Sequence, residues 1–197
     1  MEYPLSLPRD GRTIVVIGSS TGGARTLEVV FSQFPLVDAA VILVQHMPHS
    51  MNSALCRHIE EISFMDVRVP EDGEEIEHGT IYVAPSDLHL KLVENRTISL
   101  FDDAKVQYVR PSIDVAMMSL TRRGTDRFAG VILSGMGSDG AEGISHIKSI
   151  GGTTFAQALR TCAIHYMPRA AFATGRVDQM LPPDAIRENI IRFAGII

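Results

Sequence analysis

Unbroken apolar runs, rich in β-branched residues, punctuate this chain and alternate with segments whose apolar positions recur at helical spacing. Thr13 to Ile17, Ala40 to Gln45, Ile81 to Ala84, Phe128 to Ser134, Thr153 to Ala156 and Val177 to Leu181 are such runs and predict strands. A strand solvated on one face alternates apolar with polar residues, whereas a continuous apolar run fits a strand covered by helices on both faces. Between the runs, Ala24 to Phe34 places Leu27, Val30, Phe31 and Phe34 on one helical face. Ser50 to Ile62 does the same with Leu55, Ile59 and Ile62, and Ser112 to Arg123 with Ile113, Met117 and Leu120. Ala141 to Ile150 follows an Asp-Gly turn, and Pro168 to Thr174 and Asp184 to Phe193 predict shorter closing helices, the last capped by Asp184 after Pro182-Pro183. The alternation predicts an α/β fold: a doubly wound, mostly parallel sheet in a three-layer α/β/α arrangement. His89 to Phe101 departs from it, because LKLV and TISL flank Glu94-Asn95-Arg96, which predicts a small β-hairpin inserted in the parallel sheet. The acidic stretch Glu71 to His78 reads as a solvated loop, and without repeats or long linkers residues 1–197 read as one domain.

Composition narrows the function classes. With 197 residues, 45% of them hydrophobic and 21% charged, the chain suits one ordinary globular domain and excludes collagen-like, coiled-coil and disordered readings. Eighteen basic residues against 23 acidic ones leave a formal net charge of −5, which argues against nucleic acid or an anionic membrane as partner. Cys56 and Cys162 lie far apart, without metal-ligand spacing, so neither a disulfide framework nor a zinc site is expected. The first residues, MEYPLSLPRDGR, hold no apolar export signal, and every apolar run falls well short of the roughly 18 residues of a membrane span. The expected setting is cytoplasmic.

Ligands of open α/β sheets bind beyond the carboxyl ends of the strands. Three such ends carry chemistry: Gly18-Ser19-Ser20-Thr21-Gly22-Gly23 after the first strand, Gln45-His46-Met47-Pro48 after the second, and Gly135-Met136-Gly137-Ser138-Asp139-Gly140 after the run Phe128 to Ser134. A hydroxyl, an imidazole and a carboxylate thus converge on one edge, the inventory of nucleophilic acyl transfer. Ser20 or Ser19 would attack, with helix N-terminal N–H groups near the oxyanion; His46 would act as base, oriented by Asp139. Each residue also has an ordinary reading: Ser20 as a cap, His46 as a hydrogen-bonded strand-end residue, Asp139 as a turn or N-cap residue. Rival motifs fare worse. A phosphate loop needs lysine where Ala24 follows Gly23, and a dinucleotide site needs an acidic residue where Gln45 and His46 end the second strand. The HxxH pair His46 and His49 is interrupted by Pro48 and lacks a carboxylate at ligand spacing, so no metal is expected.

With these segments in view, the chain resembles the catalytic domain of the bacterial chemotaxis protein-glutamate methylesterase family. The resemblance rests on VVIGSSTGG (Val15 to Gly23), VQHMP (Val44 to Pro48), EDGEEIEHGTIYVAPSDLHL (Glu71 to Leu90), RPSIDV (Arg110 to Val115), GVILSGMGSDGAEG (Gly130 to Gly143) and MPRAA (Met167 to Ala171), in family order almost from end to end. It implies Ser20 as nucleophile, His46 as general base, Asp139 as its orienting carboxylate, and the Met136 N–H with Thr21 as oxyanion and nucleophile support. It further implies hydrolysis of glutamyl methyl esters on the cytoplasmic helices of chemoreceptors, with methanol released and no cofactor, and deamidation of some glutamines as a second activity. A receptor helix implies an open cleft at the sheet edge. Glu-rich receptor surface would favour arginines near it, with Arg25, Arg110 and Arg169 as candidates. Family members commonly carry an N-terminal receiver domain, whereas about a dozen residues precede the first strand here. Val109, Ala158 and Tyr166 depart from the family pattern beside the expected cleft. Two competing readings are a catalytically silent partner-binding or scaffold domain of the same fold, and a nucleotide-binding domain built on Gly18 to Gly23.

Overall fold

A computed structural model describes residues 11–197. The N-terminal stretch read above for an export signal lies, in residues 1–10, outside the described part.

Seven parallel strands form one sheet in the order β3-β4-β2-β1-β7-β8-β9. These are β1 (Thr13–Ser19), β2 (Ala40–Gln45), β3 (Asp66–Arg68), β4 (Thr80–Val83), β7 (Arg127–Ile132), β8 (Thr153–Gln157) and β9 (Gln179–Leu181). Alternate residues of each strand point to opposite faces, so Ile14 and Val16 enter one apolar layer and Val15 and Ile17 the other. The first layer is closed by α3 (Ile113–Met118), α4 (Ala141–Ser149) and α5 (Tyr166–Ala173) through Ile113, Met117, Ile144, Ile147, Met167 and Ala171. The second is closed by α1 (Gly23–Phe31), α2 (Asn52–Ile62) and α6 (Pro183–Ala194) through Leu27, Phe31, Ile59, Ile186 and Ile190. This is the expected doubly wound three-layer arrangement. From β1 at the middle of the sheet the chain winds outward through β2 and returns to β7 on the other side of β1, so the switch point lies at β1 and its neighbours.

Three elements differ from expectation. The hairpin of β5 (His89–Val93) and β6 (Thr97–Phe101) exists, but it forms a separate two-stranded sheet instead of joining the parallel one. It buries Leu90, Leu92 and Ile98 in the first apolar layer beside α3. The helix predicted to Arg123 ends at Met118, because the hairpin turn captures the chain that follows. Asn95 donates from Nδ2 to the Thr121 carbonyl at 2.6 Å and accepts the Thr121 N–H at 3.0 Å, replacing helical partners. Strand β3 was not predicted; it is a three-residue edge strand with Asp66 exposed, too short and too polar to leave an apolar run. The Glu71 to His78 loop is largely solvated, yet Ile76 is buried within it and Glu74 pairs with Arg68 at 2.8 Å.

Candidate active site

The pairing of β1 with β2 ends at Ser19 opposite Gln45, which brings the next residues, Ser20 and His46, together on adjacent strand ends. Main-chain bonds fix both. The Ser20 N–H donates to the Ser134 carbonyl at the end of β7, and the His46 N–H donates to the Ser19 carbonyl, each at 3.0 Å. The Ser20 carbonyl accepts the Gly23 N–H at 2.9 Å, and Gly22, at φ 79°, makes the sharp turn into α1. On its other flank Ser20 meets Gly135, where a Cβ would stand 2.8 Å from the Ser20 Cβ and 2.1 Å from Met167 Sδ. The absence of a side chain at Gly135 thus lets the β7 loop pass directly beside the serine, and Met136 follows it.

The two adjacent serines are told apart by their surroundings. Ser19 is fully buried, its hydroxyl lies under Gly23, where a Cβ would stand 1.8 Å from it, and it has no hydrogen-bond partner. Ser20 retains 8% exposure.

His46 Nε2 lies 2.9 Å from Asp139 Oδ2. The Asp139 carboxylate also accepts the Ile113 N–H at 2.7 Å, the Asp114 N–H at 3.0 Å and the Ser112 hydroxyl at 2.8 Å, all from the start of α3. Burial opposes ionisation of Asp139, but the His46 bond and the two main-chain N–H groups outweigh it and hold the carboxyl below its ordinary range. An ionised Asp139 fixes the imidazole tautomer: Nε2–H donates to it, so Nδ1 of the neutral ring keeps its lone pair. Among the described residues no hydrogen bond joins Ser20 Oγ to His46, so the imidazole is paired with the carboxylate and not with the serine. Such links commonly tighten only with substrate bound.

Several residues that the sequence reading passed over build this geometry. Gln45, almost fully buried, donates from Nε2 to the carbonyls of both Ser20 (3.1 Å) and His46 (2.9 Å). Ser112 caps α3 while holding Asp139. His89 of the hairpin accepts the Ser112 N–H on Nδ1 at 3.2 Å and donates from Nε2 to the Ala104 carbonyl at 3.1 Å, so the hairpin buttresses the carboxylate from behind. In sequence Gln45 shows as the polar residue closing an apolar run, whereas Ser112 and His89 show only as the first residues of a helix and a hairpin. Ser134 Oγ sits 3.1 Å from the Thr21 carbonyl and accepts the Ile164 N–H at 3.0 Å, tying the serine loop to the segment before α5.

The remaining candidates are dispersed. Thr21 and the 61% exposed Met136 flank Ser20 at the two strand ends, and among the described residues neither main-chain N–H has a protein partner. Arg25 is exposed at the start of α1. Arg169 stacks over the Tyr166 ring at 5.2 Å, and Arg110 turns away to the carbonyls of Asp102 and Asp103, at 2.5 and 2.8 Å. A cleft of about 510 Å³ adjoins the site, lined in part by His46, Tyr108, Met136, Asp139 and Glu142. It opens at the carboxyl edge of the sheet, and Val109 is in its wall, whereas Tyr166 is stacked on His165 at the start of α5 and Ala158 pairs with Leu181. Burial pushes the Cys162 thiol up to about 11 and raises that of Cys56, which disqualifies both as nucleophiles near neutral pH. No group of three or more His, Cys, Asp and Glu among the described residues is placed to hold a metal, and none of their helices is long and apolar enough to cross a membrane.

The family model for the CheB methylesterase matches residues 15–190, which include every strand end described above. The chain belongs to the CheB methylesterase family. It is 38% identical over 190 residues to a Pyrococcus horikoshii protein named protein-glutamate methylesterase/protein-glutamine glutaminase, with 94% of this chain and 52% of that protein covered. A Thermotoga maritima protein of the same name is 36% identical over 193 residues, covering 96% of this chain and 56% of its own length. The chain therefore spans about half the length of the curated relatives it matches. Its fold is that of the CheB methylesterase catalytic domain of Thermotoga maritima, with a TM-score of 0.84 and 34% identity over 93% of this chain and 99% of that one.

Proposed function

We propose that this chain is a serine-dependent carboxylic ester hydrolase that removes methyl esters from glutamyl side chains of chemoreceptors. The observation that carries the reading is the His46–Asp139 pair at 2.9 Å, set on the strand end next to Ser20 and locked by three donors from α3. In the mechanism, His46 Nδ1 takes the Ser20 Oγ proton as the oxygen attacks the ester carbonyl. The Met136 N–H, with Thr21 beside it, stabilises the oxyanion, a role that can be worth roughly 3 to 4 kcal/mol per donor. Collapse of the tetrahedral species breaks the bond to methoxide, which leaves as methanol with the proton from Nδ1. Water, deprotonated by Nδ1, then attacks the acyl carbonyl, releasing the glutamate side chain and returning the proton to Ser20. Attack on a glutamine side chain follows the same path with ammonia leaving, which supports deamidation as a second activity. No step requires a cofactor.

Residues 1–197 act in this reading as one catalytic domain, in the cytoplasm, on the cytoplasmic helices of methylated receptors. A receiver domain, on the same polypeptide or separate, is its expected regulator. The silent scaffold and the nucleotide-binding domain are less favoured: the first gives no reason for an ionised carboxylate clamped onto a histidine on the strand end next to Ser20, and the second lacks a lysine after Gly23. A serine-directed organophosphorus probe separates them. Covalent labelling at Ser20, abolished in Ser20→Ala, supports the hydrolase; receptor binding without labelling supports the scaffold.

A further inference from the structure

The segment between β6 and α3 carries a two-residue turn that the mechanism does not use. Val106 and Val109 exchange both main-chain hydrogen bonds, at 3.1 and 3.0 Å, and the residues between them, Gln107 and Tyr108, both have positive φ, 48° and 69°. Such a turn favours asparagine and glycine, and a side chain at either place is held there against its own preference. Gln107 supplies the holding contacts. Its Oε1 accepts the Ser138 hydroxyl at 2.7 Å and its Nε2 donates to Asp114 Oδ2 at 2.8 Å. Ser138 precedes Asp139, and Asp114 donates its N–H to Asp139, so the turn is pinned to both segments that carry or hold the carboxylate. Tyr108 is thereby projected into solvent, 94% exposed, from the wall of the cleft that also contains His46 and Met136. Tyrosine ordinarily buries much of its ring. A strained, pinned turn thus presents one bare aromatic side chain at the cleft.

We propose that the Gln107–Tyr108 turn grips the polypeptide that carries the ester, with Tyr108 as a specificity residue and Gln107 as the positioning residue that aims it. The inference rests on the ester-hydrolase reading and extends it to the flanking sequence of the substrate. The wall around Tyr108 includes Glu142 and Asp139 and, among the described residues, no lysine or arginine. In place of the arginines expected from sequence, an aromatic face beside carboxylates favours neutral or cationic side chains next to the scissile ester and disfavours acidic ones.

The test uses synthetic helical peptides with one glutamyl methyl ester flanked by lysine or by glutamate, with p-nitrophenyl acetate as a small ester that reaches only the serine. Tyr108→Ala should lower the ratio of kcat/KM for the lysine-flanked peptide to that for the small ester about tenfold, the effect of losing an aromatic anchor. Gln107→Ala should lower the same ratio, and Glu142→Gln should reduce the preference for lysine over glutamate. A ratio unchanged in Tyr108→Ala, or peptide and small-ester turnover falling together, overturns the proposal. Wild-type protein that hydrolyses neither substrate overturns the ester-hydrolase reading itself, a distinct failure.

Discussion

The Gln45 side chain donates to the Ser20 carbonyl at 3.1 Å from the same nitrogen that donates to the carbonyl of His46 at 2.9 Å. One buried amide thereby ties Ser20 to His46 across two strand ends. Its Oε1 has no partner, so all of its hydrogen-bonding capacity in use points at the site.

Gln45→Leu keeps the side chain's bulk and removes the brace. Displacement of a reacting group by about 1 Å can cost roughly 100-fold in rate. The variant should lose on the order of 10- to 100-fold in kcat with KM little changed, while remaining folded by circular dichroism. A fall in KM affinity with kcat intact would show that this tie does not position the pair.

Gly135 offers a second probe of close approach. A Cβ there would stand 2.8 Å from the Ser20 Cβ, a backbone-attached atom with little freedom, and 2.1 Å from the flexible Met167 thioether, which can move. Gly135→Ala should therefore cost activity more than stability, with ester hydrolysis reduced about tenfold or more if the serine is displaced by some tenths of an ångström. Thermal unfolding alongside rate measurement checks it.

Asp114 makes a pH prediction of definite sign. Burial, with the charges of Asp139 and Glu142 adding to it against two main-chain N–H bonds, raises its pKa from 3.8 to about 6. The folded state binds this proton more tightly than the unfolded state, so the contribution to stability is full below the unfolded pKa and is lost as pH rises through about 6. Asp139, with its lowered pKa, runs the other way: its contribution is present above the ordinary carboxylate range and is lost as pH falls. Asp114→Asn cannot ionise; its oxygen can still serve the Gly143 N–H, and loss of the acceptor for the Gln107 amide adds a cost that does not vary with pH. Relative to wild type its stability should rise steadily as pH goes from 4 to 6, the window that the two pKa values of Asp114 define, in denaturant unfolding followed across that range. A difference that is flat across the window would contradict the assignment.

Much of the architecture is legible in the chain because its strands are buried on both faces. Val15 and Ile17 are as apolar as Ile14 and Val16, and that lack of alternation announces helices above and below. The candidate triad is legible for a related reason: strand ends are marked by where apolar runs stop, and Ser20, His46 and Asp139 lie just past three of them. What the sequence conceals acts through long-range contacts. His89 looks like the first residue of a hairpin, yet its ring braces Ser112, 23 residues on, and through it Asp139. The length of α3 is set by Asn95 capturing Thr121, a competition between hairpin and helix that periodicity cannot register. Arg110 looks like a substrate-binding arginine by charge and position, but neighbouring carbonyls claim its guanidinium.

Methanol release from a methylated chemoreceptor cytoplasmic fragment tests the central claim most directly, with the wild-type chain compared against Ser20→Ala and Asp139→Ala at equal concentration. The triad reading predicts release by the wild type and a fall of about 1,000-fold or more in both variants, the scale on which triad members act. Release that survives in either variant, or a folded wild type that binds the fragment and releases no methanol, would contradict it.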